Sequence, residues 1–334
     1  MNKGLFSVCC VSYNHAQYIE RCIQSIWNQD YKNIEILALD DGSSDNSAEI
    51  LNRLKAVSPC PMTVVIQKNT GKIGANFNIL INQAKGEYIS IIACDDEFVP
   101  NTFLEKVNVM DNNKNICFIT SSKVYSIDDK NNVSEAEKML LSDIDKPTAD
   151  DLLNLEFNDF HSYFIQGAIY RTDLIKTVGA FDEDMICDDI ILRTKCAQYI
   201  KKTPNLTFEV WKKPLVYYRN HTSNISKNLT RQIEGIIEYL GRYWQDKKPP
   251  KKLFSWLKAA AQYEKDFSKI YNIFQKQDSY TLKLMQKYKM QDRITKEKYI
   301  YKYIKIPFVF ELTCSIDNCK KTKLIKFLGI NISK

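Results

Sequence analysis

Two carboxylates in a row, Asp95-Asp96, close the apolar run Tyr88-Ile89-Ser90-Ile91-Ile92-Ala93-Cys94. Like charges this close at the end of a buried strand raise one pKa unless a cation or hydrogen-bond donors offset them. Ligands of open α/β sheets bind beyond the carboxyl ends of the strands. The pair therefore calls for a hard cation, and its place calls for a substrate carried on that cation. A second acidic strand end, Asp40-Asp41, follows Ile34-Glu35-Ile36-Leu37-Ala38-Leu39. One such end can accept hydrogen bonds from a base and a ribose. The other can hold Mg²⁺ or Mn²⁺, which take oxygen ligands and substrate phosphates. Together the two ends describe a nucleotide-diphosphate site. Taken singly, Asp40 and Asp45 read equally well as turn and cap residues, as Asp-Gly-Ser segments often are.

These residues need a sheet to bring them together. Ser7–Val11, Ile34–Leu39, Thr63–Ile66 and Tyr88–Cys94 read as short buried strands. Between them Ile19, Cys22, Ile23, Ile26 and Trp27 recur at helical spacing, as do Ala48, Ile50, Leu51 and Leu54. Gly71 to Ala84 reads as a loop and a helix. Strands alternating with helices predict a parallel, three-layer α/β sheet. The second half is less regular. Strands are expected at 116–120, 123–126, 164–170, 206–210 and 215–218, a polar loop at 128–150, a helix after Arg171, and a helix over 190–199. From about Gln232 the pattern is helical and rich in Lys, Tyr and Phe.

The chain of 334 residues, with 44% apolar and 26% charged residues, is long enough for one large domain and an appendage. No apolar run approaches the ~18–20 residues of a spanning helix. The opening Met1-Asn2-Lys3-Gly4-Leu5-Phe6 enters a strand at once, which leaves no room for a signal peptide. Ten scattered cysteines without a C-x-x-C pair then read as reduced thiols of a cytoplasmic protein rather than a zinc site. The net charge of +7 hides a division. Residues 227–334 carry 24 Lys/Arg against 10 Asp/Glu, and the first 226 carry 23 against 30. A boundary near residue 226 is therefore expected, with an acidic body and a basic, helical C-terminal region. Lys320-Lys321-Thr322-Lys323-Leu324-Ile325-Lys326-Phe327 alternates basic and apolar residues as interfacial segments do. That favours an anionic membrane surface over a solvated cap. The acidic body and the lack of a recognised module argue against nucleic acid.

Several segments resemble family 2 glycosyltransferases of the GT-A fold. They are Ser12-Tyr13-Asn14, the stretch Trp27 to Ile36, Asp40-Asp41-Gly42-Ser43-Ser44-Asp45, Asn78 with Ala84-Lys85-Gly86-Glu87-Tyr88-Ile89, Gly179-Ala180-Phe181-Asp182-Glu183, and Tyr218-Arg219-Asn220-His221. The likeness spans roughly residues 5–226. It implies a GT-A catalytic domain and an inverting transfer of a sugar from a nucleotide diphosphate, a UDP-sugar, to a hydroxyl of a glycan. It implies that Ser12, Tyr13, Asn14, Asp40, Asp41, Asn78 and Asp95 meet the nucleotide. Asp95, with His221, would reach a Mn²⁺ or Mg²⁺ ion on the diphosphate. Asp96 and Gln166 would face the acceptor. Two positions depart from the family pattern: Ala93 stands where an Asp is common, and Val11 where Pro is.

An inverting transfer also needs a base for the acceptor hydroxyl. Asp188-Asp189, before Ile190-Ile191-Leu192-Arg193, resembles the family's Glu-Asp motif. The resemblance makes Asp189 the base and Asp188 its support. A helix N-terminus would favour the ionised form; ordinary capping is the plainer reading of the same residues. If the basic region binds a membrane, the acceptor is lipid-linked, as in surface polysaccharide assembly at the inner face of a cell membrane. A sugar-nucleotide or glycan-binding protein without catalysis, suggested by Ala93, is the alternative from another class. A nucleotidyltransferase shares the acidic strand ends but would show a Gly-rich basic loop where Ser12-Tyr13-Asn14-His15 stands.

Overall fold

The computed structural model describes residues 1–222 and 224–263. The basic segment around residues 320–330 lies outside the described residues. The first half is a regular alternation: β1 (Asn2–Ser12), α1 (Ile19–Trp27), β2 (Ile34–Asp40), α2 (Ser47–Ala56), β3 (Met62–Ile66), α3 (Ile73–Gln83) and β4 (Gly86–Ala93). Then come β5 (Glu97–Phe98), α4 (Phe103–Asn112), β6 (Ile116–Ser121), β7 (Lys123–Ile127) and β8 (Glu137–Lys138). A 3-10 turn at Leu140–Asp143 leads to α5 (Ala149–Asn158), β9 (Ile169–Arg171), α6 (Thr172–Thr177) and α7 (Asp189–Lys202). The described chain ends with β10 (Thr207–Trp211), β11 (Val216–Arg219), α8 (Leu229–Tyr243) and α9 (Lys251–Tyr263).

Seven strands form one mainly parallel sheet in the order β10-β6-β9-β4-β1-β2-β3, with β9 antiparallel to both its neighbours. Alternate residues of β1 explain its two buried faces. Cys9 and Val11 enter one apolar core with Leu37, Phe77 and Ile91, while Val8 and Cys10 enter the other with Ile23, Ile36 and Ile92. Apolar residues on both faces are what a parallel sheet covered by helices on both sides requires. On α1, the buried Ile19, Cys22, Ile23 and Ile26 form the stripe that the helical spacing predicts.

The register aligns the functional ends. Ser12 sits opposite Asp40, and Val11 opposite Ala93. Loops 12–16, 40–47 and 93–96 therefore leave the sheet at one edge. A second, four-stranded sheet, β5-β11-β7-β8, stands beyond that edge. Its β5–β11 pairing sets Glu97 against Tyr217, which carries the chain after β11 over Asp95.

The expected strand at 164–170 is mostly irregular. Gly167 adopts φ +80, and Gln166 makes only an isolated bridge to Ile91. Only Ile169–Arg171 pairs in the sheet, because the left-handed turn at Gly167 breaks the extended run. The fully buried Lys106 donates a 2.9 Å hydrogen bond to the Gly167 carbonyl, and burial takes its pKa down to about 7. The eight described cysteines are free thiols. A third core joins α7 to α8 and α9 through Ile190, Ile191, Ile233, Ile237, Leu240 and Leu257. Gly235 permits the contact, since a Cβ there would lie 2.6 Å from Cys187 Sγ. Among the described residues no helix is long and apolar enough to cross a membrane.

Candidate active site

The loops at the sheet edge hold one another through side chains. Asn14, in the left-handed region at φ 56, accepts the Ser44 amide on Oδ1 at 2.8 Å, and its own amide donates to Ser43 Oγ. The amides of His15 and Ala16 donate to Ser47 Oγ and Asp45 Oδ2. Asp40 accepts the Ser43 amide at 2.9 Å and the Ser43 hydroxyl at 2.6 Å. Both its oxygens thus close the Asp-Gly-Ser turn, the alternative that the sequence left open, at the sheet edge next to Asp41. Gly42 is obligatory in it: φ is +70, and a Cβ would meet the Asn69 amide at 2.4 Å.

Asp41 is differently placed. Its carboxylate accepts from Gln67 Nε2 at 2.7 Å and from the Thr70 and Gly71 amides at 2.9 and 3.0 Å. Burial opposes the charge, but the hydrogen bonds from Gln67, Thr70, Asn76 and Gly71 outweigh it and hold the carboxyl below the usual range. The Gly71-Lys72-Ile73-Gly74 segment thus turns its first amide, that of Gly71, toward a carboxylate. Asp41 lines a cavity of about 880 Å³ together with Tyr13, Asn69 and Asn76, and with residues of the 222–234 segment on the other side. Asn78, expected at the nucleotide, donates to the Phe181 carbonyl and to Glu183 and accepts the Phe181 amide. It staples the Gly-Ala-Phe-Asp-Glu turn to α3, and Asn76 is the asparagine of α3 that faces the cavity. Ser12 is buried at the strand end with its hydroxyl unpartnered.

Asp95 stands between two imidazoles. His221 Nε2 is 3.0 Å from Asp95 Oδ2, and His15 Nε2 is 3.7 Å from the same oxygen. The sequence pointed to Asp95 and His221 but not to His15, although His15 follows the Ser12-Tyr13-Asn14 segment directly. Burial works against the Asp95 charge, yet His221 and His15 offset it and the carboxyl titrates below its usual range. Burial keeps His15 neutral by lowering its pKa, the state a ligand nitrogen needs. Asp95 Oδ1 and His15 Nδ1 are buried without hydrogen-bond partners. One carboxylate oxygen and two ring nitrogens within 4.8 Å of one another fit a divalent cation.

Asp96 faces away from this cluster. It is 1% exposed and accepts the Arg219 amide at 2.8 Å. Burial and the neighbouring Asp95 charge push its pKa up. Arg219 is a buried clamp: it donates to the Asp95 carbonyl, to the Asp128 carbonyl and to Glu97 at 2.6 Å. Its guanidinium also lies over the Tyr18 ring at 4.6 Å. By tying β11 to β5, it fixes His221 against Asp95. Gln166 carries a buried, unpartnered Oε1.

Asp188 caps α7, its Oδ1 accepting the Asp189 amide at 2.7 Å. Arg193 lies one turn on, 3.7 Å from Asp189 Oδ2, and is locked to Glu156 through two hydrogen bonds of 2.7 and 3.1 Å. The helix N-terminus does not prevail on Asp189. Burial first, and the Asp188 charge second, push its pKa up to about 7 despite Arg193. The Asp189 charge is also felt by Asp96, the neighbour of Asp95. Asp189 is thus half-ionised near neutrality, not fully anionic as the helix end alone suggested.

The family profile described as "Glycosyl transferase family 2" matches residues 7–179, just over half of the chain. The chain belongs to glycosyl transferase family 2. Relatives in this family include an uncharacterized glycosyltransferase of Nostoc sp., 36% identical over 103 residues, and Glycosyltransferase GlyG of Streptococcus pneumoniae, 41% identical over 92 residues. The aligned parts cover 31% and 28% of this chain and 32% and 30% of those proteins, so the chain spans about a third of their length. Among solved structures, residues 1–349 of S. aureus TarS in complex with UDP-GlcNAc superpose with a TM-score of 0.55 at 15% identity. That match covers 92% of this chain and 93% of the other. A mannosyltransferase from Pyrobaculum calidifontis, in complex with GDP-Man and Mn²⁺, gives 0.50 at 17% identity, covering 90% and 88%. At these identities the likeness is one of fold, and it extends through the mixed sheet that carries Asp41 and Asp95.

Proposed function

We propose that the chain is a cation-dependent inverting glycosyltransferase that uses a UDP-sugar. One observation carries the reading: Asp95, with an unpartnered buried oxygen, stands between His15 and His221 at the strand end next to the cavity that Asp41 lines. The solved structures of the same fold with UDP-GlcNAc and with GDP-Man and Mn²⁺ support it. Asp41 and Tyr13 receive the nucleoside. Asp189 takes the proton of the acceptor hydroxyl as that oxygen bonds to the anomeric carbon, and the bond to the diphosphate breaks with its electron pair on the leaving oxygen. A divalent cation at His15, Asp95 and His221, when bound, would stabilise the charge on the departing diphosphate. The donor set favours Mn²⁺ over Mg²⁺, because two imidazole nitrogens suit transition metals while Mg²⁺ prefers oxygen.

Gln166, through its unpartnered Oε1, is the acceptor-side contact, and Asp96 supports it indirectly through Arg219. The acceptor is a glycan, lipid-linked if the basic C-terminal region meets an anionic membrane. Flotation with anionic liposomes at low salt tests that last step, and its absence there would remove it. Soaking crystals with UDP and Mn²⁺ tests the site: the uracil is expected at Asp41 and Tyr13 and the ion among His15, Asp95 and His221. Nucleotide bound elsewhere would overturn the reading.

A further inference from the structure

The cavity beside Asp41 has a second wall whose residues the family motifs do not include. It is formed by the segment after His221: Thr222, Asn224, Ile225, Lys227, Asn228 and Arg231. Two of these are cations. Lys227 Nζ is committed, donating a 2.7 Å hydrogen bond to the His221 carbonyl, so it anchors the segment that carries the histidine. Arg231 is not committed. Its backbone amide is capped by Asn228 Oδ1 at 3.0 Å, which fixes the start of α8. Among the described residues its guanidinium makes no hydrogen bond or ion pair. Among the described residues this half-buried arginine has no carboxylate partner, although Asp41 lines the same cavity. Its charge reaches Asp188, at the base end of the site.

We infer that Arg231 binds the diphosphate of the nucleotide donor, from the wall opposite Asp41. The proposal rests on the reading of the site as one for a nucleotide diphosphate. Asp41 occupies the nucleoside end, and its carboxylate charge offers a phosphate only repulsion. A diphosphate crossing the cavity toward Asp189 adds negative charge to an acidic site, and one divalent cation offsets only part of it. Arg231 lies on that path, and a guanidinium presents a planar fork of donors matched to phosphate oxygens. The neighbouring Lys227 bond couples this wall to His221, so the diphosphate would be held from both sides by groups of one segment.

The test uses the full chain with Mn²⁺ and compares UDP with uridine in wild type, Arg231→Ala and Arg231→Lys. Arg231→Ala is expected to weaken UDP roughly ten- to hundredfold and to leave uridine unchanged, with Arg231→Lys recovering part of the loss. Unchanged UDP affinity in Arg231→Ala overturns the inference alone. So does an equal loss for uridine, which would show that Arg231 shapes the cavity rather than meets phosphate. So does a loss confined to donors with an acidic sugar while UDP is unaffected, which would assign the guanidinium to a sugar carboxylate. A wild type that binds neither UDP nor GDP overturns the nucleotide reading of the site and this inference with it.

Discussion

His221 Nε2 lies 3.0 Å from Asp95 Oδ2 although 126 residues separate them in the chain. The contact exists because Arg219, two residues before His221, is clamped to the Asp95 carbonyl and to Glu97. Loss of either imidazole should weaken Mn²⁺ by at least about tenfold, since even partners that only orient ligands are worth that much. His15→Ala and His221→Ala, titrated with Mn²⁺ by calorimetry, should both show it. Wild-type affinity in His15→Ala would remove that residue from the cation site.

Asp189 sets the pH profile. Its carboxyl titrates near 7, and only the ionised form can accept a proton. Transfer should therefore rise with pH through about 7 and level above it. Asp189→Asn should abolish transfer while leaving UDP affinity within about twofold, because nucleotide and base sit at different ends of the site. An unchanged acid limb in a still-active variant would place the base elsewhere.

The same carboxyl has a stability consequence of opposite sign. Its folded pKa lies above the unfolded ~3.9, so the native state holds the proton more tightly. Stability is highest below the unfolded pKa and falls as pH rises through 7. Asp189→Asn should be more stable than wild type at pH 8, by about 1–2 kcal/mol after allowing for partial exposure, and the gap should close toward pH 4. Urea denaturation at the two pH values measures it.

The Glu156–Arg193 pair holds α5 to α7 with both side chains almost fully buried. Removing one partner leaves an uncompensated buried charge. Glu156→Ala should cost about 3–5 kcal/mol and displace Asp189, whose position depends on Arg193. A loss under 1 kcal/mol in denaturant titration would contradict this.

Asn78 distinguishes support from contact. Asn78→Leu strips partners from the Phe181 amide and carbonyl and should cost about 2–3 kcal/mol. UDP affinity measured well below the melting temperature should stay near wild type. A selective loss of UDP binding with unchanged stability would return Asn78 to the nucleotide.

The sheet was legible because β1, β2 and β4 are continuous apolar runs and their helices repeat at 3.6 residues. The acidic ends, Asp41 and Asp95, were legible because carboxylates at buried strand ends need a reason to be there. His15 was not, since nothing in a lone loop histidine announces a partner at position 221. Nor could sequence divide Asp40 from Asp41: only the Ser43 hydrogen bonds show that one closes a turn and the other turns to the cavity. The strand expected at 164–170 forms only from Ile169, because Gly167 lies in the left-handed region. Arg231 carries no local signal at all; its meaning comes from facing the cavity that Asp41 lines with no charged partner among the described residues.

UDP release from a panel of UDP-sugars, with and without Mn²⁺, in wild type and Asp95→Asn, tests the central claim most directly. Release that requires Mn²⁺ and falls at least about a hundredfold in Asp95→Asn is the predicted result. Release unaffected by chelation and by Asp95→Asn, or none from any donor with wild-type chain, would contradict it.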